Sequence, residues 1–176
     1  VYKGAFYYHH SGYNEIIRFD LDKEVVVAKT SLPIAAFQGT NYVYATEYNY
    51  FDLAVDENGL WVIYGVDGQP NTLLVTKMNP SDLSMEKTWN ITVDHQGYGN
   101  GFISCGTLYL IKNIHAKNTL IDFAYDLYTK EYKTLRLKFT NPFRMNNMIS
   151  YNPQHKKIYG WDRGNQLTYP LLMDNM

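Results

Sequence analysis

A β-hairpin recurs along this chain at a nearly constant interval, and that recurrence constrains the fold more than any other feature. Its clearest copy is Phe51-Asp-Leu-Ala-Val-Asp-Glu-Asn-Gly-Leu-Trp-Val-Ile-Tyr64. Phe51, Leu53 and Val55 alternate with Asp52, Ala54 and Asp56, the period-2 pattern of a strand. Glu57-Asn58-Gly59 is a tight-turn signal, because Asn and Gly tolerate the positive φ that hairpin turns need. Leu60 to Tyr64 is a second strand, β-branched and aromatic. Alone it would be an ordinary hairpin. Related copies, however, place an aromatic anchor in the second strand at Tyr7, Trp61, Tyr109 and Tyr159, spaced by 54, 48 and 50 residues. A period near fifty with four short strands in each period is the mark of a β-propeller blade. A β-sandwich is the competing architecture.

The remaining strands fill the period. Gly4–Tyr8, Ile16–Leu21 and Val25–Ala28 form a meander. Leu73–Met78 and Met85–Trp89 follow the Trp61 hairpin after a loop over 65–71. Gly101–Cys105 and Gly106–Ile111 repeat the hairpin, with Ile121–Leu127 and Tyr132–Leu137 after it. Met148–Tyr151, Lys157–Trp161 and Gln166–Tyr169 begin another copy. The tally is about three and a half blades, and the first copy lacks its inner strand. The chain starts at Val1 without Met, so it reads as a piece, 1–176, of a domain whose N-terminal part lies outside it. Seventeen tyrosines and 16% aromatics suit an all-β protein.

Formal net charge is -1, so charge balance makes no case for nucleic acid or an anionic membrane. No apolar run reaches the length of a membrane span. Asn90-Ile91-Thr92 is a glycosylation sequon. Cys105 is the single cysteine. Such a residue is commonly a buried, inert hydrophobe, whereas an odd cysteine in a secreted protein points to a bonding partner elsewhere.

Asp52, Asn100 and Ser150 each lie nine residues before an aromatic anchor. Equal phase would bring them together around the central channel, lined by the innermost strands. Their oxygens, with backbone carbonyls and water, could hold Ca²⁺ or Na⁺; a hydrated polar channel is the plainer reading. Enzymatic patterns are weak. His9-His10 is a loop pair without a third ligand at metal spacing. His95, His115 and His155 read as polar-loop residues. Cys105 reads as part of an apolar strand with no base near it in sequence. Asp56-Glu57 sits on a turn, where carboxylates commonly accept backbone N–H groups. The long connection from Ala36 to Tyr50 is rich in Tyr, Asn and Thr. Tyr42, Tyr44 and Tyr48 could form a protein-binding surface, or the loop could simply pack over the sheets. A hydrolase built on Asp52, Asn100 and Ser150, and a sugar-binding propeller using surface Tyr and Trp, are the rival functions.

The stretch Asp52 to Tyr64 also resembles the olfactomedin domain. So do Leu74-Val-Thr-Lys-Met-Asn-Pro80, Lys87-Thr-Trp89, Asn100-Gly-Phe-Ile-Ser-Cys-Gly-Thr-Leu-Tyr109, Phe123-Ala-Tyr-Asp126, Tyr151-Asn-Pro153, Lys157-Ile-Tyr-Gly-Trp-Asp162 and Leu167-Thr-Tyr169. The resemblance implies a five-bladed β-propeller, of which this chain looks like the C-terminal two-thirds. It implies a disulfide from Cys105 to a cysteine near the domain's N-terminus. It also implies a channel calcium bound by Asp52, the Asn100 side chain, the carbonyls of Gly101 and Ile149, and a carboxylate where this chain has Ser150. A second carboxylate is replaced by Tyr50, so a weakened or empty metal site is expected. The family implies an extracellular, non-enzymatic role in adhesion or matrix organisation, with oligomerisation through regions outside this chain. The altered metal set and Tyr/Asn-rich loop suggest the branch of glial ligands for neuronal cell-adhesion molecules at nodes of Ranvier. A calcium-stabilised matrix member is the alternative.

Overall fold

The computed structural model describes residues 1–47 and 49–171, and these fold as two compact units. The first comprises Val1–Ala54 and Gly59–Gln96. The second comprises Val55–Asn58 and the chain from Gly97 onward.

In the first unit, β1 (Ala5–His10), β2 (Glu15–Asp20) and β3 (Val25–Ser31) form a three-stranded antiparallel meander. After the connection over 32–50 come β4 (Phe51–Asp56), β5 (Gly59–Val66), β6 (Gln69–Met78) and β7 (Met85–Thr92), ordered as they occur in the chain. The core lies on β5, where every residue from Leu60 to Val66 is buried. Trp61 is fully buried and packs on Trp89 with ring centroids 5.5 Å apart. A hydroxyl chain crosses this sheet, Tyr64 to Thr76 at 3.0 Å and Thr76 to Thr88 at 2.9 Å. It satisfies polar groups on strands otherwise chosen for apolar burial. The Tyr7 hydroxyl donates to the Pro80 carbonyl at 2.7 Å.

In the second unit, β8 (Asn100–Ser104), β9 (Thr107–Ile111), β10 (Asn118–Asp126) and β11 (Tyr132–Thr140) form a four-stranded meander. β12 (Asn146–Asn152), β13 (Lys157–Asp162) and β14 (Asn165–Pro170) form a three-stranded one. The two sheets share a core of Phe102, Ile111, Ile121, Phe139, Ile149 and Ile158. The first strands of the two sheets, β8 and β12, run beside each other. The buried Asp162 carboxylate accepts the backbone N–H groups of Phe143 at 2.7 Å and Met145 at 2.6 Å, which fixes the turn leading into β12.

The protein is thus all-β, with sheets of three, four, four and three strands among the described residues. That composition is a partial β-propeller of three and a half blades. Each aromatic anchor falls where the repeat put it: Tyr7 on β1, Trp61 on β5, Tyr109 on β9 and Tyr159 on β13. Two local expectations change. The loop expected over 65–71 shrinks to the Asp67-Gly68 turn, because strand pairing resumes with Val66 opposite Gln69. Cys105 leaves its expected strand and, with Gly106, forms the two-residue turn between β8 and β9. Both turn residues have positive φ, 50° and 75°, as a type I′ hairpin turn requires. Among the described residues no helix is long and apolar enough to cross a membrane.

Gly68 and Gly106 offer a test of this turn chemistry. Both have positive φ, but a Cβ on Gly68 meets open space, whereas one on Gly106 would lie 2.4 Å from a Tyr128 ring carbon. Gly68→Ala is expected to cost about 1 kcal/mol by left-handed strain alone. Gly106→Ala should cost about 2–3 kcal/mol, because the ring must also move. Urea denaturation of the two variants measures the difference.

Candidate functional site

Among its described residues the connection between β3 and β4 contains no strand or helix, so its backbone groups need partners from elsewhere. The first unit supplies them one by one. The Ala36 amide donates to the Gly65 carbonyl at 3.0 Å, and the Val43 amide to the Asn49 carbonyl at 2.8 Å. Gln96 Nε2 donates to the carbonyls of Thr40 at 3.0 Å and Tyr42 at 3.1 Å. His95 Nδ1 lies 2.8 Å from the Val43 carbonyl. A carbonyl only accepts, so this nitrogen carries the hydrogen. The Tyr50 hydroxyl donates to the Gly39 carbonyl at 2.8 Å, and Asn41 Nδ2 to Asp67 at 2.7 Å. The loop is tied along its length.

His95 therefore differs from the polar-loop residue its neighbours suggested. It is buried at the start of a short 3-10 turn, and burial lowers its pKa while the Val43 carbonyl opposes that. The other histidines are partly or fully exposed, but His9 and His10 end strand β1, where a loop pair was expected. His9 leans on Phe51, His10 bonds Glu15 at 2.9 Å, and His155 bonds the Tyr159 hydroxyl at 2.7 Å.

The three tyrosines singled out for a binding surface do not share one environment. Tyr44 is a core residue, only 2% exposed, and its hydroxyl donates to Asp52 Oδ2 at 2.8 Å. That corrects its assignment to an outer contact surface. Its ring turns inward beside the buried Val43 because the Asp52 carboxylate gives its hydroxyl a partner there. Tyr42 is half-buried and stacks on Tyr50 with centroids 4.9 Å apart. Tyr48 lies outside the described residues. Thr40, Tyr42, Tyr44, Ala45, Glu47 and Gln96 line an open pocket of about 380 Å³.

Of the side chains proposed for a cation, Asp52 and Asn100 already have hydrogen-bond partners. Burial raises the Asp52 carboxyl pKa to about 6, with the Tyr44 hydroxyl opposing the shift. The Asn100 side-chain oxygen accepts the Gly101 amide at 2.8 Å, and its Nδ2 donates to the Asn147 carbonyl at 2.9 Å. Ile149 belongs to the second unit's core. Ser150 is exposed, its hydroxyl 3.5 Å from the Tyr151 carbonyl. Among the described residues no group of three or more His, Cys, Asp or Glu side chains is arranged to hold a metal ion. Calcium favours six to eight oxygens with several carboxylates. One desolvated carboxylate that already serves a hydroxyl, an amide oxygen that already serves a backbone amide, and an exposed hydroxyl do not fit it as they stand.

The equal spacing of Asn100 and Ser150 from their anchors does not give equal register. Tyr109 faces Phe102, whereas Tyr159 faces Ser150 itself. The β8–β9 turn has two residues and the β12–β13 turn has four. An offset counted along the chain therefore lands Ser150 nearer its turn.

Asp56 and Glu57 behave as the turn reading expected. Asp56 Oδ1 accepts the Asn58 amide at 2.8 Å, and Oδ2 accepts the Gly106 amide at 2.7 Å. Glu57 accepts the Cys105 amide at 3.0 Å and the Tyr151 hydroxyl at 2.5 Å. Burial alone would raise the Glu57 pKa, but the Tyr151 hydroxyl and the amides outweigh it and hold the carboxyl low. Burial and the same contact push the Tyr151 phenol up to about 12. Cys105 is exposed, not buried, and its thiol pKa is raised by desolvation and by Glu57. A thiol held protonated is a poor nucleophile. Asn90 is exposed on β7, which is the outer edge of its sheet.

A profile described as the olfactomedin-like domain matches residues 1–176. Myocilin of Macaca fascicularis is 38% identical over 176 residues, covering 100% of this chain and 36% of that protein. Myocilin of Homo sapiens is also 38% identical, with 100% and 35% covered. The chain thus spans about a third of the length of these relatives. Among solved structures, the extracellular domain of a one-component system from B. thetaiotaomicron aligns with 96% of this chain and 19% of its own. That match has 13% identity and a TM-score of 0.43.

Two outcomes test these assignments. Asp52 binds its proton more readily in the fold, at about 6, than in the unfolded chain at 3.8. Its contribution to stability is therefore full below the unfolded value and lost as pH rises through about 6. In calcium-free buffer near pH 7, Asp52→Asn should stabilise the protein by up to about 3 kcal/mol. The gain should shrink to nothing near pH 4 in denaturant titrations. At the sequon, peptide-N-glycosidase should lower the mass of secreted protein, and Asn90→Gln should abolish that decrease.

Proposed function

Because the chain belongs to the olfactomedin-like domain family, an extracellular family of matrix and adhesion proteins, we propose that it is a protein-binding module contacting cell-surface or matrix proteins. The supporting observation is the 36–50 connection. It is rich in aromatic and amide side chains, it opens a pocket, and hydrogen bonds along its length hold it in place. A pre-ordered loop loses little entropy when a partner docks. On this reading no bond is made or broken: Asp52 supports Tyr44, and desolvation and the neighbouring Glu57 carboxylate raise the Cys105 thiol pKa, which disfavours the thiolate nucleophile. The intact protein would act as an oligomer through regions outside this chain. Cys105 would bond a cysteine elsewhere in the domain.

Two finer readings divide on the cation. A gliomedin-like ligand for neuronal cell-adhesion molecules at nodes of Ranvier suits a domain whose cation set has lost two carboxylates, at Ser150 and Tyr50. A calcium-stabilised matrix role has the support of 38% identity to myocilin. The donor chemistry favours the first.

Binding of the intact protein to cells displaying adhesion receptors tests the broad reading; failure to bind any cell or matrix preparation would sink it. Thermal unfolding with calcium and with chelator separates the two branches. A ligand held only by the native state raises the midpoint by mass action. The expected midpoint is the same in both buffers. An increase of several degrees with calcium would move the assignment to the metal-dependent matrix branch.

A further inference from the structure

From Thr30 through Thr76 the chain contains no lysine or arginine, although Glu47, Asp52, Asp56, Glu57 and Asp67 lie within that stretch. The chain as a whole is close to neutral, so this segment is locally acidic. Its loop also carries the pocket described above, where Glu47 is the charged residue among the described lining residues. Tyr42 contributes an aromatic face backed by the stacked ring of Tyr50. Both hydrogens of the Gln96 amide nitrogen are committed to the carbonyls of Thr40 and Tyr42, which leaves its oxygen as the acceptor. Tyr44 keeps its own hydroxyl hydrogen on Asp52. The pocket therefore presents a carboxylate, an amide oxygen and π density, on a frame that hydrogen bonds hold in place.

That set matches one common side chain. A guanidinium is planar, always charged, rich in N–H donors, and stacks on aromatic faces while forking to a carboxylate. We infer that the Tyr42–Glu47–Gln96 pocket receives an arginine side chain of the partner protein. The inference rests on the protein-binding reading above and names the chemistry of its contact. Glu47 accepts the guanidinium N–H groups, Tyr42 stacks on its plane, and Gln96 both props the loop and offers an acceptor. The pocket is roomy enough for one such side chain to enter with some water around it.

The test uses the intact protein, immobilised, with the capped tripeptide Ac-Gly-Arg-Gly-NH2 as probe. Its control replaces arginine with citrulline, which keeps the shape and removes the charge. Saturable binding of the arginine peptide is expected, weakened about tenfold or more by citrulline, by Glu47→Gln and by Tyr42→Leu. Glu47 is exposed and no side-chain bond of it is found among the described residues, so a folded Glu47→Gln protein is expected, and thermal unfolding checks it. Equal binding of the two peptides, unchanged binding by Glu47→Gln, or no saturable binding up to about 10 mM would each overturn the proposal. Cell binding is measured in parallel. If it persists unchanged in Glu47→Gln, the pocket is not the contact and the adhesion reading stands. If the wild type binds no cells, that failure belongs to the adhesion reading, while the peptide arm still decides the pocket.

Discussion

The buried carboxylate of Asp56 holds two turns at once. One oxygen closes its own hairpin on the Asn58 amide, and the other accepts the Gly106 amide of the β8–β9 turn. Turn amides at hairpin tips have no ladder partner, so each needs an acceptor or water. Asp56 and Glu57 provide acceptors for both residues of the Cys105-Gly106 turn, which makes one hairpin's tip the cap of another's. The Tyr151 hydroxyl on β12 donates to the neighbouring Glu57. A carboxylate at this position is therefore a structural joint, and the repeat must keep its turns short and in place for the joint to close.

That joint explains why the strands could be read from the sequence while several side chains could not. Alternation on β4 and the apolar run of β5 are local signals, and every strand expected from them exists. Cys105 was misplaced because Gly101-Phe-Ile-Ser-Cys reads as one apolar run. Only the partnership of its amide with Glu57, 48 residues away, reveals a turn. Ser150 was given the phase of Asn100 because counting along the chain cannot see that one hairpin turn is two residues longer. The 65–71 stretch was expected to be a loop, yet the strand resumes at Gln69, since a two-residue Asp-Gly turn already reverses the chain at Gly68.

The 36–50 connection shows the same limit more sharply. An irregular segment has no period, so nothing in Tyr42-Val-Tyr44 says which ring turns inward. Burial was decided by partners far away in sequence or on another element: Asp52 for Tyr44, and Val43's carbonyl for His95. The functional reading gains from this. A loop whose inner residues are fixed by named bonds presents its outer residues, Tyr42 and Glu47, in a reproducible arrangement.

Cys105 carries a chemical consequence. Its sulfur stands at an exposed hairpin tip, with Glu57 and desolvation disfavouring the thiolate. Thiol–disulfide exchange proceeds through thiolates, both attacking and departing. Such a sulfur joins a disulfide slowly and is a reluctant leaving group afterwards. A cross-link whose exchange requires this sulfur to depart would therefore be released more slowly than one to an ordinary cysteine.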